Sequence, residues 1–339
     1  MASAAQARTR DIVVIGASAG GVETLKALAP TLPDDLPAAI FVVLHLPAGS
    51  KSALPGIISR AGPLRAVHPE DGEPIEHGCI YVAPPDHHLG MEDGVVRLSR
   101  GPRENGYRPA IDRLFTTAAA TYGPRVTGVV LSGALDDGTL GLGDISRVGG
   151  ATIVQDPDEA LYPAMPASAA SYVPEADVLP IAAIGARIAE LCRARPEAGD
   201  GAASETEKAM IEQAPNPESP EYAQSGHVSG FTCPECSGAL WEHDEGGILR
   251  YRCRVGHAYS EESMLAEQGT ALEAGLWSAL RALEERVAFC TRLSTRFRHR
   301  GSPAAAARYE RQAEEARDQA RLVRQAVELL SPVGEAQPA

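Results

Sequence analysis

The stretch Asp11-Ile-Val-Val-Ile-Gly-Ala-Ser18-Ala-Gly-Gly-Val-Glu-Thr-Leu25 leaves the chain little choice of local structure. A continuous apolar run ends on glycine and a helix-compatible segment begins almost at once, which predicts strand, tight turn and helix. Gly16 and Gly20 would let the backbone turn sharply. Ser18 would then stand at the carboxyl end of a strand and at the positive end of a helix. Three readings of that serine compete. Gly16-x-Ser18-x-Gly20 matches the nucleophile elbow of serine hydrolases. A dinucleotide-binding turn is a poorer match, because its fingerprint needs glycine where Ser18 stands. A plain helix cap is the third, since serine is a favoured N-cap residue in any protein.

Over residues 11–192 short apolar runs alternate with helix-like segments. Strands are predicted at Ile12–Ile15, Ala39–Leu44, Ile80–Val82, Val126–Leu131 and Thr152–Val154, and helices at about 21–29, 51–60, 109–122, 138–149, 165–172 and 182–193. Continuous rather than alternating apolar strands imply a mostly parallel sheet covered on both faces, an α/β doubly wound, Rossmann-like sandwich. The formal charge of −14 argues against nonspecific nucleic-acid binding. No stretch approaches the roughly 18 apolar residues of a membrane helix, and MASAAQARTR lacks the apolar core of a secretory signal, so a cytoplasmic protein without membrane insertion is expected.

Parallel strands deliver their following loops to one sheet edge. His45 follows Val42-Val43-Leu44, and Asp136-Asp137-Gly138 lie just beyond Val129-Val130-Leu131. With Ser18, three strand ends offer a hydroxyl, an imidazole and a carboxylate. A serine nucleophile needs a base for its proton, and that imidazole needs a carboxylate to fix its tautomer. Each partner also has a bland alternative: His45 bonded to backbone, Asp136 or Asp137 capping the helix near Gly138. The order Ser, His, Asp differs from that of α/β-hydrolases, which points to another fold.

Ile-Gly-Ala-Ser18-Ala-Gly-Gly, Leu-His45-Leu-Pro, Ile80-Tyr-Val-Ala-Pro-Pro-Asp86-His87-His88, Arg108-Pro-Ala-Ile-Asp-Arg-Leu-Phe115, Leu-Ser-Gly-Ala-Leu-Asp136-Asp137-Gly and Met165-Pro166 together resemble the catalytic domain of chemotaxis-type protein-glutamate methylesterases, the CheB family. The resemblance covers about residues 10–193. It implies hydrolysis of glutamate γ-methyl esters on the cytoplasmic helices of chemoreceptors or related receptors, often with deamidation of glutamines. It places the nucleophile on Ser18, the base on His45 and the carboxylate on Asp137, with Asp136 a second choice, and it implies no catalytic cofactor. Family members usually carry an N-terminal receiver domain. Only about ten residues precede the first strand here, so self-contained phosphorylation control is not expected.

Arg97, Arg100, Arg103 and Arg108 form a local basic string, read as a solvated loop in preference to a receptor-docking patch. The expected organisation is a short disordered N-terminus to residue 10, a catalytic domain over 11–194, an acidic disordered linker over 195–229, a small module over 230–259, a helical hairpin over 260–331 and a disordered tail over 332–339. In the small module Cys233-x2-Cys236 and Cys253-x3-His257 stand sixteen residues apart. Two such turns brought together offer four zinc ligands as a structural ribbon, and His227 and His243 are poorer candidates. The isolated Cys79, Cys192 and Cys290 read as buried hydrophobes. Beyond Ser260, Leu265, Leu272, Leu276, Leu280, Leu283 and Val287 line one helix face as far as the break at Gly301-Ser302-Pro303, a surface for intramolecular packing, self-association or a regulator. The rivals to an esterase are a catalytically idle adaptor of the same fold and a nucleotide-dependent oxidoreductase.

Overall fold

The computed structural model describes residues 10–46, 49, 52–92, 94–194, 225–245 and 247–330. The expected N-terminal tail, most of the acidic linker and the C-terminal tail lie outside the described residues. The chain divides into two compact units, Met1–Met264 and Leu265–Ala339.

The first unit is built on a seven-stranded sheet of order β3-β4-β2-β1-β7-β8-β9, comprising Arg65–Val67, Cys79–Val82, Ala39–Leu44, Ile12–Ala17, Val126–Val130, Ala151–Gln155 and Asp177–Leu179. Every pairing in it is parallel. Strands alternate side chains between faces, so each of these apolar runs feeds two cores. Val13, Ile15, Ile40 and Val42 pack with Leu25 and Leu28 of α1 (Gly21–Leu28), Ile58 of α2 (Leu54–Ala61) and Ile184 and Ile188 of α6 (Ile181–Arg193). Ile12, Val14, Phe41 and Val43 pack with Leu114 and Phe115 of α3 (Ile111–Tyr122), Leu142 and Ile145 of α4 (Thr139–Arg147) and Met165 of α5 (Ala164–Tyr172). The result is the doubly wound sandwich expected from the strand pattern. Its topological switch lies between β1 and β7, and an open α/β sheet forms its crevice at that point, outside the carboxyl ends of the strands.

The two first-turn glycines divide their work differently from expectation. Gly16 does not turn the chain; it lies inside β1 and admits Ile111, whose Cγ2 would sit 2.3 Å from a Cβ at this position. Gly20 makes the turn, with φ of 72° in the left-handed region that favours glycine.

Four strands have no counterpart among those predicted: the edge strands β3 and β9, and β5 (His88–Glu92) and β6 (Val95–Ser99), which form an antiparallel hairpin. The small module is a four-stranded antiparallel sheet, β10 (His227–Thr232), β11 (Ala239–Glu245), β12 (Ile248–Cys253) and β13 (Ala258–Ser260). Its first strand starts within the stretch expected to be linker. The module belongs to the same compact unit as the large sheet. Asn105 N–H donates to Ala258 O at 2.7 Å and Ala258 N–H to Arg103 O at 3.3 Å, which ties β13 to the loop before α3.

From Glu261 the chain forms α7 (Glu261–His299), and after a turn α8 (Pro303–Leu330). Within the second unit the two run antiparallel. Phe297 stacks on Tyr309 near the turn and Arg324 pairs with Glu284 far from it. Of the predicted leucine face, Leu280 is buried and Leu276, Leu283 and Val287 are half-buried, and Ala313, Ala316 and Ala320 of α8 are buried. Leu265 and Leu272 remain exposed. Among the described residues no helix is long and apolar enough to cross a membrane.

Candidate active site

Strand register brings the first two candidate residues together. Ala17 pairs with Leu44 across β1 and β2, so the next residues, Ser18 and His45, emerge side by side at the sheet edge. Ser18 N–H donates to Ser132 O at 3.0 Å, which extends the β1–β7 ladder beyond the strands and fixes the serine backbone. The side chain does not cap α1. The N-cap position is Gly20, without a side-chain cap, and Ser18 Oγ lies 3.0 Å from His45 Nδ1.

On its other edge the imidazole meets Asp137, Nε2 to Oδ2 at 2.8 Å, with both side chains almost fully buried. Asp137 also accepts Ile111 N–H on Oδ2 at 2.7 Å, and Asp112 N–H at 3.1 Å and Asn105 Nδ2 at 2.9 Å on Oδ1. Burial pushes this carboxyl up, but the hydrogen bonds from His45, Ile111 and Asn105 and the imidazole charge outweigh it and hold the pKa down, at about 2. The opposition resolves this way because each bond to a charged acceptor is worth about 1.5–3 kcal/mol, and the donors from α3 add the positive end of a helix. An ionised Asp137 can only accept, so Nε2 carries the imidazole proton and Nδ1 is left to accept from Ser18 O–H. Tyr107 stacks on the ring at a centroid distance of 3.6 Å and 8° between planes, which fixes the ring plane as Asp137 fixes its rotation.

Neither aspartate caps α4 with its side chain. The N-cap there is Gly138, and Asp136 contributes only its carbonyl, to Thr139 N–H. Capping is instead exchanged between two helices. Asp137, which precedes α4, takes the first amides of α3, while Asp112 of α3 accepts Gly138 N–H at 3.0 Å and Gly141 N–H at 2.9 Å from the start of α4. Asp136 turns away from the imidazole and accepts Ser260 Oγ at 2.7 Å; burial raises its pKa to about 6.

Behind Asp137 the network leaves the large sheet and enters the small module. Asn105, 2% exposed, donates to Asp137 and, at 3.1 Å, to Asp112 Oδ2. Its Oδ1 accepts Arg250 Nη1 at 3.0 Å, Ser260 N–H at 3.0 Å and Ser263 Oγ at 3.1 Å. Arg250 of β12, also 2% exposed, reaches Asp112 Oδ2 at 3.2 Å and lies 3.5 Å from Glu104 and 3.7 Å from Glu245. Removing one partner from a buried ion pair of this kind typically costs about 3–5 kcal/mol.

The same turn is held by Ser132, whose Oγ donates to Ala19 O at 2.9 Å and accepts Tyr162 N–H at 3.0 Å, and whose N–H donates to buried Gln155. His88 is a structural histidine. Burial lowers its pKa, and the neutral ring donates from Nε2 to Pro102 O while Nδ1 accepts Ala110 N–H. Each arginine of the basic string has an acidic neighbour, with Asp86 shared by two. Arg97 pairs with Glu92, Arg100 and Arg108 with Asp86, and Arg103 with Glu235.

Cys233, Cys236, Cys253 and His257 converge, with ligand atoms all within 4.8 Å of one another. Sγ of Cys236 and Cys253 are 3.6 Å apart, and His257 Nδ1 lies 3.6 Å and 3.5 Å from Sγ of Cys233 and Cys253. A tetrahedral metal with bonds of 2.3 Å to sulfur has edges of about 3.8 Å, so this donor set fits one. Nε2 of His257 faces Glu235 at 3.4 Å, where an outer carboxylate would orient the imidazole if it held a metal.

A family model described as CheB methylesterase matches residues 13–188. A putative protein-glutamate methylesterase/protein-glutamine glutaminase of Leptospira interrogans is 41% identical over 160 residues, 47% of this chain and 83% of that one. Protein-glutamate methylesterase/protein-glutamine glutaminase 2 of Anaeromyxobacter dehalogenans is 38% identical over 192 residues, covering 57% and 56% of the two chains. The like-named protein of Methanosarcina mazei is 35% identical over 165 residues, 46% and 45%. This chain thus spans about half the length of the latter two relatives. The crystal structure of the Thermotoga maritima CheB methylesterase catalytic domain superposes with a TM-score of 0.51 at 35% identity, over 53% of this chain and 98% of that one.

Proposed function

The chain belongs to the CheB methylesterase family, and on that premise we propose that it hydrolyses glutamate γ-methyl esters, and deamidates glutamines, on the cytoplasmic helices of chemoreceptors or related receptors, with Ser18, His45 and Asp137 as its catalytic triad. The observation that carries the reading is the unbroken path Ser18 Oγ, His45 Nδ1, His45 Nε2, Asp137 Oδ2, with contacts of 3.0 and 2.8 Å at the switch point of a parallel sheet. An oxidoreductase reading has no comparable support, because Ser18 and its Oγ occupy the place where a pyrophosphate would need open backbone.

Ser18 Oγ attacks the γ-carbonyl carbon while His45 Nδ1 takes its proton. The tetrahedral adduct collapses, and the departing methoxide leaves as methanol with the proton from His45. Water then attacks the γ-glutamyl-serine ester, with His45 again as base, and releases the γ-carboxylate and Ser18. With a glutamine substrate the leaving group is ammonia. Asp137 stays a carboxylate and stabilises the imidazolium at each step. For the oxyanion, Ser18, Gly21 and Gly133 N–H are already committed to Ser132 O, Ser18 O and Tyr162 O. That narrows the donors to Ala19, Gly20 and Ala134. Exposed Leu161 and Tyr162, beside Gly20, give the mouth of the site an apolar rim suited to a helical protein substrate.

The deciding measurement is methanol release from methylated receptor fragments by the purified chain, beside hydrolysis of a small activated ester. Both are expected. Turnover of neither would sink the proposal, and turnover of the small ester alone would retain the chemistry and reject the receptor.

The Cys233, Cys236, Cys253 and His257 cluster is inferred to hold structural zinc. A full set of protein ligands leaves no open position for chemistry, and structural zinc sites contribute on the order of 10 kcal/mol of binding free energy to folding. One zinc per chain is expected by elemental analysis. Cys253→Ser should lose the metal and the amide-exchange protection of β11 and β12. A variant that keeps full protection without metal would reject a structural zinc.

A further inference from the structure

The mechanism uses Asp137 but leaves unexplained why an arginine from another sheet is buried behind it. Arg250 lies in β12, in an alternating strand where a charged residue would ordinarily face water, and yet it is 2% exposed. Its Nη1 donates to two acceptors at once, Asn105 Oδ1 and Asp112 Oδ2. Those are the two side chains that touch the Asp137 carboxylate or its helix cap. Asn105 is the hinge of the arrangement. With its oxygen occupied by Arg250, Ser260 and Ser263, the amide can present only its NH2 to Asp137 and Asp112. All three donors to that oxygen come from the small module or the first turn of the helix that follows it.

We propose that Arg250 is a positioning residue for the catalytic carboxylate: by fixing the amide of Asn105 and bridging to Asp112 it keeps Asp137 aimed at His45, so that the zinc-ribbon-like module is a working part of the hydrolase. The proposal rests on the esterase reading given above. Charge acts in the same direction as geometry. Burial and the nearby charge of Asp137 push the Asp112 carboxyl up, and Arg250 is the chief cation drawing it down. Asp137 and Asp112 on the large-sheet side, Glu104 on the loop and Glu245 on β11 are the acids around Arg250, with Asp136 slightly further along. His45 itself faces Asp137, Ser18 and Tyr107. Taking away Arg250, the cation that bonds Asp112, leaves more negative charge on the imidazole side, with Arg252 still paired to Glu245, and favours the protonated, catalytically idle ring.

The test compares the full chain with Arg250→Met, Arg250→Lys and the double variant Arg250→Met/Asp112→Asn, each checked for fold and zinc content. Two readouts are needed, the pH profile of small-ester hydrolysis and the titration of His45 followed by NMR. For Arg250→Met kcat should fall about tenfold or more with KM unchanged, since a misdirected carboxylate harms the transition state and not substrate binding. The acid limb of kcat/KM and the His45 titration should both move up. The double variant, which also removes the acid left without its cation at Asp112, still lacks the fork to Asn105 and should leave kcat low. Arg250→Lys keeps the charge but not the fork, and should show the kcat loss in milder form with the titration in place.

Wild-type kcat and an unmoved His45 titration in a folded Arg250→Met would overturn the proposal. Should that variant not fold, wild-type kcat in Arg250→Lys would overturn it instead. The NMR titration separates this idea from the esterase reading. If the wild-type chain turns over no ester, the function is wrong, while a shifted His45 in the variant still supports the coupling of Arg250 to the site.

Discussion

Ser18→Ala is expected to abolish ester hydrolysis, by a factor on the order of 10⁵–10⁶ in kcat, the scale seen when a serine hydrolase loses its nucleophile. The substitution deletes one oxygen and little else. The backbone of residue 18 stays held by its bond to Ser132 O, α1 keeps its Gly20 cap, and the one partner left is a neutral acceptor, His45 Nδ1. Unfolding free energy should therefore change by no more than about 1 kcal/mol. The variant becomes a clean trap for substrate, retaining methylated receptor without releasing methanol. Residual hydrolysis within a hundredfold of wild type would mean that another group, or bound water, is the nucleophile.

Asp137→Asn should cost on the order of 10⁴ in kcat, because the carboxamide leaves His45 in the wrong tautomer to accept from Ser18. Unlike the serine change it should also destabilise the protein. All four groups aimed at Asp137 are N–H donors, and an NH2 at either position must face at least one of them, at about 1–3 kcal/mol for each donor left unsatisfied. The pH dependence has a defined sign. The Asp137 carboxyl titrates at about 2 in the folded protein, below its unfolded value of about 4, so its contribution of about 2 kcal/mol is complete above pH 4 and lost as the pH falls through 2. The stability gap between wild type and Asp137→Asn should narrow over that window. A gap that stays constant from pH 5 to pH 2 would show that the carboxylate is not stabilised in this way.

The parallel sheet was legible because its central strands are continuous apolar runs that no other architecture buries on both faces. The three residues proposed as a triad were legible because parallel strands send Ser18, His45 and Asp137 to one edge. What escaped notice depends on long-range contact. The edge strands β3 and β9 are three residues each and carry too few side chains for a periodic signal. Asn105 precedes a glycine and reads as a turn, yet its amide joins residues far along the chain on both sides. Nothing near Arg250 distinguishes it from a solvent-facing strand residue, because its acceptors lie well over a hundred positions away. The bland reading of Ser18 as a cap failed on one backbone angle, the positive φ of Gly20, which moved the cap two residues on and freed the hydroxyl.

The exchange of caps between α3 and α4 bears on how a chain of this kind can lose its activity over time. An inactive descendant kept as a scaffold would be under little pressure to keep Ser18, whose hydroxyl, among the described residues, bonds His45 alone. It would still be obliged to keep Asp137, because two helices begin on the carboxylates of Asp137 and Asp112. In such a lineage the nucleophile should drift first, and a surviving aspartate would testify to folding alone. A working hydrolase is to be recognised by its serine.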